Sequence, residues 1–294
     1  MDFRQLEMFA AVADNLSFTH AGEQLSVAQS AISRKIKLLE DELGEKLFKR
    51  VSRKIYLTPA GEIMLRYTRR IFQDLRNAQL EVSELSQATR GSLRIGTGMT
   101  ACMYLLPPVL EKFKARFPNI ETRVCTGSAD EMLALIRSNQ VDLGVLTLPV
   151  HAADLRVIPF TTEEMVLVSS PKHPKLANRR VVKARELAEM PLIIFNRGAA
   201  TRMLLDEFFS RVGIRPRIAM ESESVATIKP LVQIDLGVSI LPLRAVIHEA
   251  ERKELHYLRI GDYDLSREIG LVYHDSDYQP KALKELIRMF RAAA

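Results

Sequence analysis

The sequence predicts a small helical head with a basic hairpin, joined through one long helix to an α/β domain. Three observations support this division. Apolar residues recur at helical spacing to about residue 87, basic residues cluster at 49–54, and beyond Gly91 short apolar strands alternate with amphipathic helices. A chain of 294 residues is long enough for two or three domains with cores of their own.

Short helices are predicted in the first part of the head. The first covers residues 5–13, and Ser17 is a suitable N-cap for a second over 18–25. A third covers 29–43 and ends at Gly44, the residue type most common after a helix. Its apolar stripe has spacings of four, three and four and consists of Ile32, Ile36, Leu39 and Leu43.

The basic segment 49–54 lies between two short apolar strands and predicts a hairpin with a cationic tip. Pro59 suits the first position of the next helix, which is expected to reach about residue 87. The apolar stripe of this helix needs a partner. A second copy of the helix is the simplest one, and packing on its own domain is the alternative. Residues 89–92 break the pattern and predict a hinge.

This order of helices and basic hairpin is that of a winged helix-turn-helix, in which the third helix enters the major groove of DNA. The net charge of +6 is weak support, because residues 1–90 hold 14 Lys and Arg against 12 Asp and Glu. Charge placement therefore matters more than total charge. The sequence has no apolar run of membrane-spanning length and only two cysteines, Cys102 and Cys125, so we expect a cytoplasmic protein without membrane association.

Helix geometry selects the residues that are expected to reach DNA. Only the first turns of a recognition helix reach base edges, and the polar side chains there are Gln29, Ser30, Ser33 and Arg34. Glutamine pairs well with adenine, arginine with guanine or phosphate, and serine with a base or a phosphate. Contacts to phosphate or the minor groove are expected from Thr19, Arg50, Arg53 and Lys54.

Strands and helices alternate after residue 91, which predicts largely parallel sheets, and the length of this region predicts two lobes. The expected strands are 93–96, 121–125, 143–146, 165–169, 192–195, 217–220, 238–241 and 268–273. The expected helices are 107–116, 129–138, 201–212, 225–236, 242–252 and 280–292.

Polar residues follow several of these strands at the carboxyl ends, where α/β sheets bind ligands. They are Thr100, Ala101, Thr126, Ser128 and Thr147 in the first lobe, and Asn196, Arg197, Thr201 and Ser224 in the second. Hydroxyls, free amides and an arginine suit a small anion such as a carboxylate. For Arg197, the alternative to ligand binding is an exposed charge in a surface loop. Arg202 either contributes to this cleft or forms a structural ion pair.

Other chemistries find little support in the sequence. Residues 96–101 imitate a dinucleotide fingerprint, but the next strand lacks the acidic residue that would bind ribose, so no cofactor is expected. The histidines have no metal-ligand spacing and no nucleophile elbow or catalytic triad pattern appears, so no enzyme is expected. A redox role of the two cysteines stays open.

Residues 21–61 resemble the LysR-type transcriptional regulators. The matching motifs are Ala21-Gly22-Glu23-Gln24-Leu25, Gln29-Ser30-Ala31-Ile32-Ser33-Arg34, Leu43-Gly44, Leu47-Phe48 and Leu57-Thr58-Pro59-Ala60-Gly61. The later half resembles the family's effector-binding domain, of periplasmic-binding-protein type, through Leu106-Pro107 and the segment 237–242. The family usually has Ser at the position of Ala28 and often Pro at that of Ser30. Loss of the hydroxyl cap should destabilise the first turn of the third helix by about 1 kcal/mol. A cap provided by Ser30 would partly offset this loss.

The resemblance implies a bacterial, sequence-specific transcriptional regulator with an effector bound between two lobes. It implies a DNA-binding domain at 1–58, a dimerisation helix and hinge at 59–90, and a regulatory domain at 91–294 (lobe I about 91–161 and 267–294, lobe II about 162–266). Dimers would bind an interrupted inverted repeat of double-stranded DNA, and paired dimers would form a homotetramer; contact with RNA polymerase stays open. The alternatives are a constitutive DNA-binding protein whose C-terminal domain serves only oligomerisation, and a solute-binding or enzymatic protein with an added DNA module.

Overall fold

The computed structural model describes residues 1–51, 54–85, 91–275 and 279–293. The chain forms two compact units, Met1–Ala88 and Thr89–Ala294. Among the described residues, no helix combines the length and the hydrophobicity that crossing a bilayer requires.

The first unit contains helices and a two-stranded hairpin. In chain order the elements are α1 (Phe3–Asn15), α2 (Phe18–Leu25), α3 (Gln29–Leu43), β1 (Phe48–Val51), β2 (Lys54–Leu57) and α4 (Pro59–Leu85). The predicted α2 and α3 are confirmed, and Ser17 caps α2 by accepting a hydrogen bond from the amide of His20. Gly44 has the positive φ of 71° expected after α3. Residues 86–90, with half of the predicted hinge, lie outside the described residues, while Gly91 and Ser92 already belong to a strand.

The hydrophobic core of this unit joins the three short helices to the hairpin. Phe48 of β1 lies between Phe9 of α1 and Phe18 of α2, with ring centroids 5.4 and 5.7 Å apart. Ile32 and Leu39 of α3 are fully buried in the same core. The hairpin is therefore held beside α3 by packing as well as by chain connection.

The second unit alternates strands with helices. In chain order they are β3 (Gly91–Thr97), α5 (Met99–Tyr104), α6 (Leu106–Arg116), β4 (Ile120–Thr126), α7 (Ala129–Arg137), β5 (Leu143–Thr147), β6 (Arg156–Ser169), β7 (Val181–Val182), β8 (Pro191–Phe195), α8 (Ala200–Val212), β9 (Arg217–Ser222), α9 (Val225–Gln233), β10 (Ser239–Pro242), α10 (Ile247–Glu251), β11 (His256–Ile260), β12 (Ser266–Tyr273) and α11 (Lys281–Ala292).

The sheets are mixed, so the expectation of largely parallel sheets is wrong. Strands β4, β3 and β5 are parallel, as are β8 and β9, but β12 is antiparallel to β5 and β6, and β10 and β11 are antiparallel to β6. The strand order of the large sheet is β4-β3-β5-β12-β6-β11-β7. The reason is that β6 leads from the first lobe into the second and β12 leads back, so the two strands run side by side in opposite directions.

Further differences from the sequence-based prediction concern element ends and short elements. β6 begins at Arg156 and not at residue 165, because Pro159 and the polar run 161–164 interrupt the apolar pattern of a strand, whereas the pairing with β12 continues on both sides of them. The helix predicted over 242–252 is a 3-10 turn, Leu243–Ala245, followed by the short α10. α9 ends at Gln233, three residues earlier than expected. The short elements α5, β7 and β11 were not predicted.

Each lobe has a core of its own. In the first lobe, Phe113 of α6 and Phe290 of α11 are fully buried against β3, β5 and β12. In the second, Phe208 of α8 is buried against the strands β8 and β10. The strands β6 and β12 connect the two lobes.

Candidate DNA interface and effector cleft

The turn between α2 and α3 requires glycine at residue 22. A Cβ atom there would lie 2.7 Å from the carbonyl oxygen of Val27, whose own amide donates to the carbonyl of Gly22 at 2.9 Å. This close approach of two backbone segments fixes the angle at which α3 leaves α2. The local sequence therefore sets the orientation of the predicted recognition helix.

The outer face of α3 carries the side chains predicted to reach DNA. Gln29, Ser30 and Arg34 are exposed and Ser33 is half-buried, while the opposite face is buried in the core. The residue before the helix, Ala28, provides no side-chain cap. Among the described residues no side-chain hydrogen bond of Ser30 replaces this cap, so Ser30 does not compensate for the lost hydroxyl. The first amides of α3 are consequently available to an anion such as a phosphate.

Glu40 joins α3 to the hairpin, a role that was not predicted from the sequence. Its side chain is 9% exposed, and Oε1 accepts hydrogen bonds from the amides of Leu47 at 2.9 Å and Phe48 at 3.4 Å. Oε2 accepts from Lys46 Nζ at 2.7 Å, and this hydrogen bond raises the pKa of Lys46. The signal available in the sequence was a glutamate four residues after Ile36, on the face of α3 that is otherwise apolar.

The hairpin and the first turn of α2 supply further cations and a hydroxyl. The guanidinium carbon of Arg50 lies 5.7 Å from the ring centroid of Phe18. This cation–π contact fixes the position of the Arg50 side chain on the core. Lys54, which begins β2, and Thr19 in the first turn of α2 are both exposed. Arg53 lies outside the described residues.

In the first lobe, the predicted ligand residues lie at one edge of the sheet. Thr126 and Thr147 end the strands β4 and β5, which flank β3, and Thr100 and Ala101 lie in the first turn of the helix after β3. Thr126 is exposed, Thr100 and Thr147 are half-buried, and Ala101 is buried. Ser128 caps α7 by accepting from the amide of Glu131 at 3.3 Å, so the hydroxyl has a structural task as well.

In the second lobe, the chain after β8 and the chain after β9 meet. The amide of Asn196 donates to the carbonyl of Ser222 at 2.9 Å, and Ser224 caps α9 by accepting from the amide of Thr227 at 3.3 Å. Arg197 is exposed. The residue that precedes α8, Ala199, provides no side-chain cap, which leaves the first amides of α8 available.

Arg202 has the structural role that was one of its two alternatives. Its side chain is only 4% exposed, and it donates to Asp206 at 2.9 Å, to Glu221 at 2.8 Å and to the carbonyl of Phe195 at 2.8 Å. These bonds hold the start of α8 against the ends of β8 and β9.

A buried ion pair lies where the two crossing strands meet. Arg267 of β12 is paired in register with Glu163 of β6, and its Nε and Nη2 donate to Oε2 of Glu163 at 2.8 and 2.6 Å. Both side chains are 3% exposed. Nη1 of Arg267 donates to the hydroxyl of Thr201 at 2.9 Å, and Arg244 Nε lies 3.8 Å from Oε1 of Glu163. Two cations thus surround one carboxylate beside the start of α8.

This arrangement has a chemical consequence for Thr201, which is itself buried. Since its oxygen accepts a hydrogen bond from a guanidinium, its own proton is left to donate to another acceptor. Sequence reasoning predicted Thr201 but neither Arg267 nor Glu163. The sequence does not single them out, because Glu163 is followed by Glu164 and Arg267 by Glu268, and only the pairing of the two strands decides which of these charges is buried.

The two cysteines are half-buried thiols. Burial raises the pKa of Cys102 and of Cys125. The thiol of Cys125 donates a hydrogen bond to the carbonyl oxygen of Ile95, with Sγ 3.6 Å from that oxygen. A raised pKa disfavours the thiolate, which is the form that reacts with oxidants.

The winged helix-turn-helix and the two-lobed α/β unit together define a DNA-binding regulator with an effector domain. Residues 3–62 match the bacterial regulatory helix-turn-helix protein of the LysR family, and residues 86–294 match the LysR substrate binding domain. The chain belongs to the LysR family of transcriptional regulators. A match to a substrate-binding domain favours effector control over a C-terminal domain that serves only oligomerisation.

Individual relatives agree with this assignment. The chain is 32% identical to a RuBisCO operon transcriptional regulator of Allochromatium vinosum, over 93% of this chain and 90% of that protein. A full-length OxyR variant from Pseudomonas aeruginosa has the same fold, with a TM-score of 0.76, 24% identity, and coverage of 99% and 95% of the two chains. Full-length CbnR complexed with its target DNA also has this fold, with a TM-score of 0.63, 23% identity and full coverage of both chains.

Proposed function

We propose that this LysR-family regulator reads DNA with the outer face of α3 and responds to a small anion bound between its two lobes. The DNA part rests on the exposed side chains of Gln29, Ser30 and Arg34 above a buried inner face. Further contacts to base or phosphate would come from Ser33 and Thr19, from Arg50 and Lys54 of the hairpin, and from Arg53. The uncapped start of α3 supports a phosphate contact there.

A dimer formed through α4 would place two such faces on an interrupted inverted repeat. The supporting observation is a row of exposed apolar side chains on one face of this helix. Tyr67, Leu75 and Val82 are 55%, 43% and 67% exposed, and their spacings of eight and seven residues keep them on that face. The start of α4 packs on its own head, since Leu65 is buried there. Pairing of dimers into a homotetramer, and contact with RNA polymerase, extend the same proposal.

The effector part of the proposal rests on the positive groups around the start of α8. Its first amides are uncapped, Arg197 precedes them, and Thr201 has a proton to donate because its oxygen accepts from Arg267. These donors favour a carboxylate or another small anion. The remaining contacts would come from Asn196 and Ser224 in the second lobe and from Thr100, Ala101, Thr126, Ser128 and Thr147 in the first.

The division of the chain belongs to the same proposal. The head would comprise 1–58, the dimerisation helix and hinge 59–90, and the regulatory domain 91–294. Lobe I would cover about 91–161 and 267–294, and lobe II about 162–266, with the boundaries on β6 and β12. We infer a cytoplasmic protein, as its DNA target requires.

A mobility-shift titration tests the DNA contacts on the operator upstream of the protein's own gene. Arg34→Ala should lower affinity for this operator about 5- to 150-fold, because a bidentate contact to guanine contributes about 1–3 kcal/mol, while nonspecific binding changes little. Lys54→Ala should weaken binding to all sequences and reduce the slope of log affinity against log salt by about one. Unchanged discrimination by Arg34→Ala would refute the assignment of this residue.

A thermal-shift screen with mono- and dicarboxylates tests the effector site. An anion present at about 100 times its dissociation constant should raise the melting temperature of the wild type by about 5–10 °C. Arg197→Ala should reduce this shift while leaving the melting temperature without anion unchanged. The proposed site is wrong if no anion stabilises the wild type more than Arg197→Ala.

A further inference from the structure

The short helix α5 connects the proposed effector site with the opposite lobe. It has six residues, and Thr100 in its first turn and Tyr104 at its end are four positions apart, which places them on the same face. Tyr104 belongs to the first lobe in sequence, but its half-buried ring packs on a hydrophobic cluster of the second lobe. That cluster includes Val225, Ile228, Leu241, Ala245 and Val246.

Lys229 of α9 is the polar partner of this ring. Its Nζ lies 5.1 Å from the ring centroid of Tyr104, donates to the carbonyl of Ala245 at 3.0 Å, and forms an ion pair with Glu249. The side chains of Lys229 and Glu249 are only 11% and 17% exposed. Burial lowers the pKa of Lys229, but the interactions of its ammonium group, first among them the hydrogen bond to Glu249, outweigh burial and raise that pKa overall. The ammonium group therefore stays charged beneath the ring.

We propose that Tyr104 and Lys229 form an interlobe latch, in which the pair positions α5 against the second lobe and transmits contact at Thr100 to the angle between the lobes. The coupling to an effector rests on the proposed function, whereas the latch itself does not. Both residues are positioning residues, because they act through α5 and not by touching the effector.

The length of α5 explains how a contact at one end would reach the other. A helix of six residues has little stability of its own, so its position depends on what its ends contact. One end lies at the cleft edge of the first lobe and the other end is held by the second lobe. A ligand that moves the first turn must therefore either break the contact of Tyr104 with Lys229 or carry the second lobe along.

Hydrogen exchange on the full-length protein, without any ligand, tests the latch. A desolvated cation–π contact corresponds to about a 2- to 30-fold change in an opening equilibrium. Tyr104→Leu should raise exchange by this factor in both 99–104 and 225–233. Lys229→Met combined with Glu249→Gln should do the same, the second change being made so that no buried carboxylate is left unpaired. The combination of all three changes should add little, because one contact is being removed in each case.

Tyr257→Leu is the matched control. Tyr257 of β11 packs half-buried on the same cluster but lies within the second lobe, so its replacement should leave exchange in 99–104 unchanged. The latch is refuted if Tyr104→Leu leaves exchange in 225–233 unchanged, if its effect and that of the Lys229 variant are independent, or if Tyr257→Leu acts equally on 99–104.

A footprint on the DNA upstream of the protein's own gene tests the transmission. With a carboxylate that stabilises the wild type in the thermal-shift screen, the wild-type protected span should shift, and Tyr104→Leu should lose at least half of that shift while binding the carboxylate. A full shift in Tyr104→Leu overturns the transmission. If no carboxylate stabilises the wild type, the proposed effector class fails, and the exchange experiment still decides on the latch.

Discussion

Replacing Glu40 by alanine should uncouple the hairpin from α3. The change removes the acceptor of the Leu47 amide, and Leu47 is 1% exposed, so that amide is left buried without a partner. An unsatisfied buried donor costs about 1–3 kcal/mol. The contact with Lys46 adds little, because the side chain of Lys46 is 66% exposed and solvent screens the pair. Since the amide of Phe48 loses the same acceptor, we expect a total loss of about 2–3 kcal/mol.

Differential scanning calorimetry of the full chain measures this loss. For a unit of about 90 residues, 2–3 kcal/mol corresponds to a fall of about 10–20 °C in the transition of the head. Glu40→Gln keeps one carbonyl acceptor and should lose roughly half as much. Operator affinity of Glu40→Ala, measured below the lowered transition, should also fall, because the hairpin cations are no longer fixed beside α3.

Glu42→Ala provides the matched control, since this carboxylate lies on the same helix but is 53% exposed and pairs with the N-terminal amine. Its transition should move by less than about 2 °C. The reasoning is refuted if Glu40→Ala melts with the wild type, or if Glu42→Ala is destabilised as strongly.

Three further predictions follow from local features of the fold. Ala28→Ser should supply the missing cap of α3 and raise the free energy of unfolding by up to about 1 kcal/mol, measured by denaturant titration; an unchanged midpoint contradicts it. Gly22→Ala brings a Cβ atom against the carbonyl of Val27, so operator binding should fall at least tenfold in a mobility-shift assay. Hydrogen bonds from Arg179 lower the pKa of Glu186 to about 2, so the stability due to this group is present above its unfolded pKa near 4.3 and is lost as the pH falls towards 2. Both side chains are more than one third exposed, so solvent screening limits this contribution to less than about 1 kcal/mol. Between these two pH values, the free energy of unfolding of Glu186→Gln should therefore fall by that much less than the free energy of unfolding of the wild type.

The helices that carry the candidate DNA interface could be predicted almost completely, because their signals are local. Ser17 and Gly44 mark helix ends through contacts within a few residues, and the spacing of Ile32 and Ile36 fixes which face of α3 is buried. The exposed face follows from the same periodicity. Glu40 was missed, since its partners lie beyond the end of the helix, in a turn whose path the sequence pattern does not define.

The cleft was predicted only in outline. The carboxyl ends of β4 and β5 were found from strand spacing, and the parallel pairing of β3 with both brings them to one edge. The sequence gives no comparable signal for the crossing of β6 and β12. The polar run 161–164 of β6 and the polar start of β12 resemble loops until each is paired with the other.

The amino-acid sequence by itself determined the class of the protein, its helix-turn-helix and the order of its longer strands and helices. These depend on periodicity and capping over a few residues. Only the tertiary structure decided that Arg267 pairs with Glu163, 104 residues away, and that Tyr104 of one lobe rests on Lys229 of the other. Such contacts depend on which surfaces the cores bring together, and a charge or a ring is stabilised in a buried place only when its partner arrives there too.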